Sequence, residues 1–404
     1  MTHRHSVTSQ SAAWGQFASL LPIMAVVFAA YFVIGSAMPV LPLHVHQRLG
    51  FSTFIVGLTV SGQFATAIFT RFWAGHHVDT YGPRHAMLNG LYLAAASGFF
   101  YLFSVAFLSR PTLSVLVLLL GRVLLGIAES FIMTGAFNLG IAMLGAENTG
   151  KVMAWVGTSL YAAMAVGAPI GMVLYGRYGF IAIAAASILI PLVTIPAMRM
   201  LHPVPLSIHP PQSSAHVART VLMPGISLAL SCVGYGAIAT FLVLLYAQQG
   251  WEPKWLPFTV LSASFMIGRM ALGHLPDRMG GARVAFYCIA LEAVGQALIW
   301  LAHTPLLSIA GVALTGLSFS LVYPALAAEV IRRVAPQSRG LALGSYSAFY
   351  DLSLCINNPL LGFIATRYGL SSVYLASSLF AAAAVLFTMR LSRVQNHQDM
   401  GVSG

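Results

Sequence analysis

The amino-acid sequence predicts an all-α integral membrane protein. Of its 404 residues, 58% are hydrophobic and 7% are charged, whereas a soluble domain has about 45–50% apolar and about 25% charged residues. The apolar residues form continuous runs instead of alternating with polar ones, which favours helices over a membrane β-barrel. So few charges cannot cover a water-exposed surface, and the composition therefore excludes a soluble enzyme, a disordered chain and a disulfide-stabilised scaffold.

Apolar runs along the chain predict twelve transmembrane helices, since one such helix needs about 20 mostly apolar residues. In order, they are 17–43, 52–75, 86–108, 112–140, 152–176, 180–200, 219–247, 255–273, 284–302, 306–331, 341–365 and 370–390. The first run is too long for the core of a signal peptide and is followed by further spans, so we expect it to be retained. Residues 201–218 are rich in proline and serine without helical periodicity, which predicts a cytoplasmic linker between two six-helix halves, 1–200 and 219–404.

Positive charges predict the orientation of these helices. With both termini in the cytoplasm, twelve lysines and arginines fall in cytoplasmic segments and five in outer loops, as the positive-inside rule requires. The six tryptophans lie at or near predicted span ends, where aromatic side chains anchor helices at the membrane interface. We therefore expect a multi-pass protein with both termini in the cytoplasm.

Two parts of the sequence repeat each other at about half the chain length. The stretch after the second span and the stretch after the eighth share their spacing, and their aspartates, Asp79 and Asp277, are 198 positions apart. Pro169 and Pro359 are 190 positions apart, and each is followed by Arg-Tyr-Gly at the same distance. A repeat that keeps its internal spacing predicts two pseudo-symmetric bundles around a central path, as in one large class of transporters.

These motifs carry a resemblance to a known family. The pattern Gly-x3-Asp-x2-Gly-x-Arg at 75–84 resembles the signature between helices two and three of the major facilitator superfamily, and 273–283 resembles its second-half counterpart. The Arg-x3-Gly pattern at 122–126 resembles the membrane-embedded Arg-Gly motif of that family. Within it, the chain looks similar to bacterial YhhS-type exporters, described as sugar- or arabinose-efflux-like, in the stretches 121–126, 163–171, 236–246 and 351–354.

The resemblance implies that the two repeated stretches form a conformational latch that closes the cytoplasmic side. Glycine lets backbones approach closely where helix ends meet, and an aspartate there can interact with a helix N-terminus or an arginine. The residues that we assign to the latch are Gly75, Asp79, Gly82, Arg84, Gly273, Asp277, Arg278 and Gly280. The alternative is that each stretch is a solvated turn containing an acid.

Ionisable residues inside the predicted spans are candidates for charge coupling, since each is costly in hydrocarbon unless it is paired or hydrated. We assign Arg122, Glu129 and Asp351 to proton or charge coupling. Arg122 and Glu129 share one face of the fourth span about 10.5 Å apart, so both can line one cavity without touching. The alternative is that they form structural pairs with neighbouring helices. Arg71 is close enough to a span end to extend its charge to the interface.

Other polar and small residues suggest a substrate cavity and a packing helix. The expected cavity is mostly apolar with a few hydrogen-bonding groups: Tyr31, Ser36, Thr134, Tyr235, Tyr323 and Tyr350. For each alone, a helix–helix hydrogen bond is the competing interpretation. In the fifth span, the small residues and the kink predict tight helix contact, and they resemble the antiporter signature of exporters: Gly167, Pro169 and Gly171.

The sequence therefore predicts a proton-coupled secondary transporter that exports a small organic molecule across the bacterial cytoplasmic membrane by alternating access. We expect a lipid-embedded monomer that is not an enzyme and needs no cofactor or metal. Nucleic acid is not an expected partner, because the net charge of +11 is scattered singly along the chain. The alternatives are facilitated diffusion or uptake of a sugar or organic acid, and a membrane sensor that does not transport.

Overall fold

The computed structural model describes residues 2–145, 148–199, 215–334 and 339–401 of the chain. Within these ranges the regular secondary structure is helical, and a π-helical turn, His44–Arg48, follows the second helix. The helices are α1 (Thr2–Ala37), α2 (Val40–Leu43), α3 (Thr53–Tyr81), α4 (Pro83–Ala106), α5 (Pro111–Leu144), α6 (Thr149–Tyr178), α7 (Phe180–Arg199), α8 (Ala215–Gln249), α9 (Leu256–Leu272), α10 (Leu275–Met279), α11 (Gly281–Trp300), α12 (Pro305–Arg332), α13 (Arg339–Tyr368) and α14 (Ser372–Gly401).

Each of the twelve predicted spans overlaps a helix of the described chain. Among the described residues, ten helical segments are long and apolar enough to cross a membrane. The other two are α9, which is apolar but has 17 residues, and α13, whose central Asp351, Asn357 and Asn358 lower its hydropathy. Large apolar side chains on the outside, such as Leu306 (78% exposed) and Phe69 (77% exposed), fit contact with lipid.

The long helices pack as two groups. Helices α1 and α3–α7 pack mainly among themselves, and so do α8, α9 and α11–α14. The two groups meet mainly along two helix pairs, α3 with α13 and α6 with α9. Helices α3 and α9 are the second long helices of their groups, and α6 and α13 are the fifth. The contact of α3 with α13 is therefore the repeat equivalent of the contact of α9 with α6. The predicted linker lies mostly outside the described residues, and its last part, residues 215–218, belongs to α8.

Helices α3 and α13 run antiparallel and touch closely at one end. The hydroxyl of Thr53 donates a 2.8 Å hydrogen bond to the carbonyl of Gly362. Further along α3, a Cβ on Gly57 would lie only 2.2 Å from the carbonyl oxygen of Asn358, so the approach requires glycine. The two halves are therefore in backbone contact at this end.

Two faces of the bundle are distinguished below. The terminus face is where α3 ends at Tyr81, α5 ends at Leu144 and α13 begins at Arg339. The loop face is the opposite one, where α3 begins at Thr53 and α13 ends at Tyr368. The close contact between α3 and α13 lies toward the loop face.

Candidate functional site

A cavity of about 200 Å³ lies between the two groups of helices. Its described lining comes from α1, α3, α5 and α6 on one side and from α8, α9, α12 and α13 on the other, and includes nine aromatic rings and four methionines. Phe137, Met153 and Ser347 extend the lining to within about two turns of the helix ends at the terminus face. The cavity therefore reaches from the middle of the bundle toward that face.

Glu129 of α5 presents its carboxylate to this cavity. One carboxylate oxygen accepts a 2.8 Å hydrogen bond from the hydroxyl of Tyr31, and the other accepts a 2.5 Å hydrogen bond from the amide of Gln63. Both donors are uncharged, and no cation of the described residues forms an ion pair with Glu129. The carboxylate is thus oriented by neutral groups and can gain or lose a proton without breaking an ion pair.

An ion pair between Arg71 and Asp351 joins the two halves beside the cavity. Nε of Arg71 lies 2.5 Å from Oδ2 of Asp351, and Nη2 lies 3.1 Å from Oδ1. Arg71 lines the cavity and its side chain is 31% exposed, whereas that of Asp351 is 2% exposed. Arg71 therefore does not extend to the interface as the sequence suggested, because Asp351 of α13 holds it in the bundle interior.

Four of the six predicted substrate residues line the cavity: Tyr31, Tyr235, Tyr323 and Tyr350. The two others lie outside its lining. Ser36 is fully buried, and its hydroxyl donates to the carbonyl of Val33 in its own helix. Thr134 belongs to α5, where its carbonyl accepts a hydrogen bond from Asn138. Neither residue therefore belongs to the described cavity lining, and these hydrogen bonds of both stay within their own helices.

Arg122 lies apart from the cavity that contains Glu129. The side chain is fully buried, and none of its three guanidinium nitrogens has a hydrogen-bond partner among the described residues. Its Cβ lies near Gly62 of α3, and the cavity lining does not include it. The expectation that Arg122 and Glu129 line one cavity holds for Glu129 and is corrected for Arg122, whose Cβ lies near Gly62 of α3 and which is not part of the lining.

A second guanidinium, that of Arg269 on α9, does line the cavity. Sequence reasoning placed Arg269 inside the eighth span without assigning it a role. A signal was present, since Arg71 and Arg269 are 198 positions apart, the same offset that relates the two latch aspartates. The structure therefore places both members of a repeated arginine at the central cavity.

The residues assigned to the latch lie at the terminus face. Gly75 and Asp79 are on the last turns of α3 and not in a loop, because α3 continues to Tyr81. A Cβ on Gly75 would meet nothing within 4 Å, so no close approach requires glycine there in this conformation. Gly82 has a positive φ of 89° and ends the helix, a conformation that favours glycine.

The charged latch residues make few contacts in this conformation. Asp79, Asp277 and Arg278 are exposed, and neither aspartate forms an ion pair within the described chain. Arg84 donates a hydrogen bond to the carbonyl of Arg199. The remaining glycines of the second copy, Gly273 and Gly280, flank the short helix α10, and Gly280 has a positive φ of 86°.

The small residues of α6 pack tightly against α1. A Cβ on Gly171 would lie 2.1 Å from the carbonyl oxygen of Ser36, and one on Gly167 would lie 2.8 Å from that of Phe32. Both contacts lie within one half of the molecule. The structure therefore gives these glycines a packing role in the first bundle.

Pro169 of α6 has a further effect at the contact between the halves. Because proline lacks an N–H, the carbonyl four residues earlier, that of Ala165, has no helical donor. The hydroxyl of Thr259 on α9 donates a 2.9 Å hydrogen bond to this carbonyl. The proline thus supplies an acceptor for a hydrogen bond between the halves.

Two further buried acids lie outside the cavity lining. Glu329 of α12, which sequence reasoning did not single out, is 2% exposed and accepts a 2.9 Å hydrogen bond from the N–H of Ala282 at the start of α11. It also pairs with Arg332 and, at 3.6 Å, with Arg333. Glu292 of α11 is fully buried and accepts a hydrogen bond from Ser231.

Among the described residues, no group of three or more histidine, cysteine, aspartate or glutamate side chains could hold a metal ion.

Comparison with known proteins points to one family. A sequence model of the Major Facilitator Superfamily matches residues 23–353 and 256–403. The chain is 37% identical over 392 residues to an uncharacterized MFS-type transporter of Burkholderia pseudomallei (strain 1106a), with 96% of each chain covered. It is 38% identical over 391 residues to another from Pseudomonas aeruginosa, with 93% of each covered. The crystal structure of the nucleoside transporter NupG matches with a TM-score of 0.74 over 92% of this chain and 99% of that chain, at 15% identity, and so shares the fold.

Proposed function

The chain belongs to the Major Facilitator Superfamily, and we propose that it exports a small organic molecule in exchange for protons by alternating access. It is a multi-pass membrane transporter of bacterial type; the direction, the coupling ion and the substrate are our proposal. We place it in the bacterial cytoplasmic membrane as a monomer with both termini inside, following the distribution of positive charge. Its assignment to the YhhS-type exporters rests on the sequence resemblance alone.

The observation that carries proton exchange is the setting of Glu129. Its carboxylate faces the cavity between the halves and is held by Tyr31 and Gln63, which are neutral. A group that exchanges protons for substrate must satisfy two requirements. It must bind a proton and release it when substrate binds, and it must be reachable from each side of the membrane in turn. Glu129 can bind and release a proton without disrupting an ion pair, and its position between the halves favours access from both sides.

Alternating access is supported by the uneven contact between the halves. Helices α3 and α13 touch through their backbones near the loop face, while the cavity extends toward the terminus face. If the terminus face is cytoplasmic, this conformation is open to the inside. The proposed latch at Asp79 and Asp277 would then act in the opposite conformation, and this fits the exposure of both aspartates here.

Export is favoured over uptake by the resemblance of the Gly167–Gly171 segment to the antiporter signature of exporters. The alternatives are a facilitated-diffusion or uptake transporter of a sugar or organic acid, and a sensor that does not transport. Each alternative predicts a different dependence of solute accumulation on the protein and on the proton gradient.

A cellular accumulation assay tests the proposal. Labelled small molecules are supplied to cells with and without the protein, and a protonophore is added in parallel. We expect a substrate to accumulate less when the protein is present, and the protonophore to remove the difference. Higher accumulation would indicate uptake, protein-dependent movement that ignores the protonophore would indicate facilitated diffusion, and no effect for any compound would favour a sensor.

The role of Glu129 is tested by Glu129→Gln, which keeps the shape of the side chain but cannot exchange a proton. We expect this variant to lose pH-driven export and to keep substrate-for-substrate exchange. The matched control is Glu252→Gln, because Glu252 lies exposed in a loop and pairs only with Lys254 among the described residues. A Glu129→Gln variant with the pH profile and export rate of the unmodified protein would remove Glu129 from the coupling mechanism.

A further inference from the structure

Arg269 is the repeat counterpart of Arg71, which pairs with Asp351. The repeat therefore predicts an acidic partner for Arg269, but the corresponding position does not hold an acid. Arg71 and Arg269 are related by the offset of 198 positions that also relates the latch aspartates. Asp351 and Tyr161 are related by the offset of 190 positions that also relates the two helix prolines. The counterpart of the Arg71–Asp351 ion pair is therefore Arg269 with Tyr161, so a phenol stands where the other copy has a carboxylate.

The structure agrees with this correspondence. Arg269 of α9 reaches α6, since its Nη1 lies 3.4 Å from the place that a Cβ on Gly157 would occupy, one turn before Tyr161. No carboxylate of the described chain lies within 4.0 Å of the Arg269 guanidinium. Glu129 lines the same cavity, and its carboxylate accepts its hydrogen bonds from Tyr31 and Gln63.

An arginine in this setting favours an anionic ligand. A charge inside a membrane protein is costly unless it is paired or hydrated, and such groups mark substrate pathways. The charge of Arg71 is balanced by Asp351, whereas that of Arg269 faces a cavity lined mainly by aromatic and methionine side chains. A planar guanidinium binds a carboxylate through two parallel hydrogen bonds. Among the described residues, the cavity therefore offers one arginine without an ion-pair partner, and its guanidinium has the geometry for a carboxylate.

Aromatic rings extend from this position across the cavity. We call them the aromatic row: Tyr161, Phe265, Phe319, Tyr235 and Tyr350, all of which line the cavity. The ring centroids of successive members are 3.7, 5.9, 5.7 and 6.3 Å apart, and the first pair is stacked. Such rings give an apolar surface against which a planar group can stack or pack edge-on.

We propose that the transported molecule is a small organic anion, a carboxylate on a planar apolar body. The carboxylate binds Arg269 and takes the place that Asp351 fills in the other copy. The body lies along the aromatic row, because Phe265 and Arg269 are one turn apart on the same face of α9. A cavity of about 200 Å³ is below the ~300–1,000 Å³ of sites for drug-sized ligands, so the substrate is of metabolite size. This proposal rests on the transport function proposed above.

The first test compares isosteric probes on the purified, unmodified protein. Benzoate, benzamide and benzylammonium share a ring and differ in charge, and 2-naphthoate extends the ring. Binding is measured by isothermal titration calorimetry and by the shift in melting temperature. We expect the two carboxylates to bind and the amide and ammonium to bind at least about 10-fold more weakly. Equal binding of benzamide or benzylammonium, or failure of both carboxylates to bind, would overturn the proposal.

The second test restores the missing acid. In Tyr161→Asp, the introduced carboxylate should pair with Arg269. Benzoate then loses its partner for a buried charge, so its affinity should fall at least about 30-fold. Tyr161→Asn is the matched control, since it removes the same ring without adding charge and should lower the affinity only a few-fold. Arg269→Gln should match Tyr161→Asp, and Arg110→Gln, an exposed residue at the start of α5, should leave binding unchanged. Equal losses in the Asp and Asn variants would contradict the proposed role of Arg269.

Transport in proteoliposomes separates this proposal from the one on which it rests. Protein-dependent movement of benzylammonium but not of the carboxylates would refute the anion specificity and keep the transport function. Binding of benzoate without movement of any probe would contradict transport while leaving the anion site in place.

Discussion

Replacing Asp351 with asparagine removes one partner of the ion pair that joins α3 to α13. Two contacts hold the pair, at 2.5 and 3.1 Å, with Asp351 2% exposed and Arg71 31% exposed. Breaking a fully buried pair costs about 3–5 kcal/mol, because the remaining charge is left uncompensated. Partial exposure of Arg71 reduces this cost, and we expect roughly 1.5–3 kcal/mol.

The lost ion pair destabilises only the conformation in which α3 and α13 are in contact, provided that the halves separate during transport. Asp351→Asn should then shift the equilibrium toward the conformation in which α3 and α13 have parted, by about 10- to 150-fold, since each 1.4 kcal/mol is tenfold. Arg71→Gln should cause a shift of similar size. The double variant should shift less than the sum of the two, because no unpaired charge remains and the sites are coupled.

Cysteine labelling measures this shift. Ser61→Cys, in a chain without the native cysteines, places a thiol between α3 and α13, where Ser61 is 3% exposed and bonds to the carbonyl of Leu354. Its reaction with a water-soluble maleimide should accelerate at least about 10-fold in Asp351→Asn. Ser187→Cys, buried within the first half, is the control and should stay unreactive. Unchanged labelling of Ser61→Cys in both single variants, or strict additivity in the double variant, would refute the reasoning.

Three further predictions concern packing and the terminus face. Gly171→Ala should lower the melting temperature, since its Cβ would meet backbone at 2.1 Å and overpacking costs about 1–3 kcal/mol, whereas Gly176→Ala, with nothing within 4 Å, should not; equal melting temperatures would contradict the tight contact. Glu329→Gln should speed hydrogen exchange at the start of α11, because the hydrogen bond to the N–H of Ala282 weakens; unchanged exchange would remove that capping role. Asp79→Asn should fold normally but increase cysteine accessibility from the cytoplasm and lower transport; full activity with unchanged accessibility would contradict the latch.

Continuous apolar runs were enough to predict the helical fold, because the bilayer fixes both the length and the composition of a span. The helix at 341–365 is an informative case. Its central Asp351 and Asn358 lower its hydropathy, but the segment is still a helix inside the bundle. These polar groups are tolerated there because Asp351 contacts Arg71 of α3 and Asn358 contacts Thr240 of α8. The second span was placed too short for a related reason, since polar residues up to Tyr81 continue α3 beyond the apolar run.

Side-chain partners could be predicted only in part. Four tyrosines were assigned to the cavity because they lie on central helices, and they line it. Arg122 and Glu129 share a helical face in the sequence, but Glu129 lines the cavity, whereas Arg122 lies outside the lining with its Cβ near Gly62 of α3. The ion pair of Arg71 with Asp351 spans 280 positions, and no local pattern specifies such a contact. The repeat offset relates Arg71 to Arg269, but it does not identify Asp351 as the partner of Arg71.

Four ionisable groups surround the cavity, and they divide evenly between the halves. Arg71 and Glu129 belong to the first half, and Arg269 and Asp351 to the second, so with Glu129 ionised each half contributes no net charge to the site. We therefore expect reorientation of the empty protein to be insensitive to membrane voltage. A bound monoanion makes the loaded site carry one negative charge, and an inside-negative potential of 100 mV then favours its outward movement by about 2.3 kcal/mol. The resting potential alone would thus assist export of an anion, in addition to any contribution from the proton gradient.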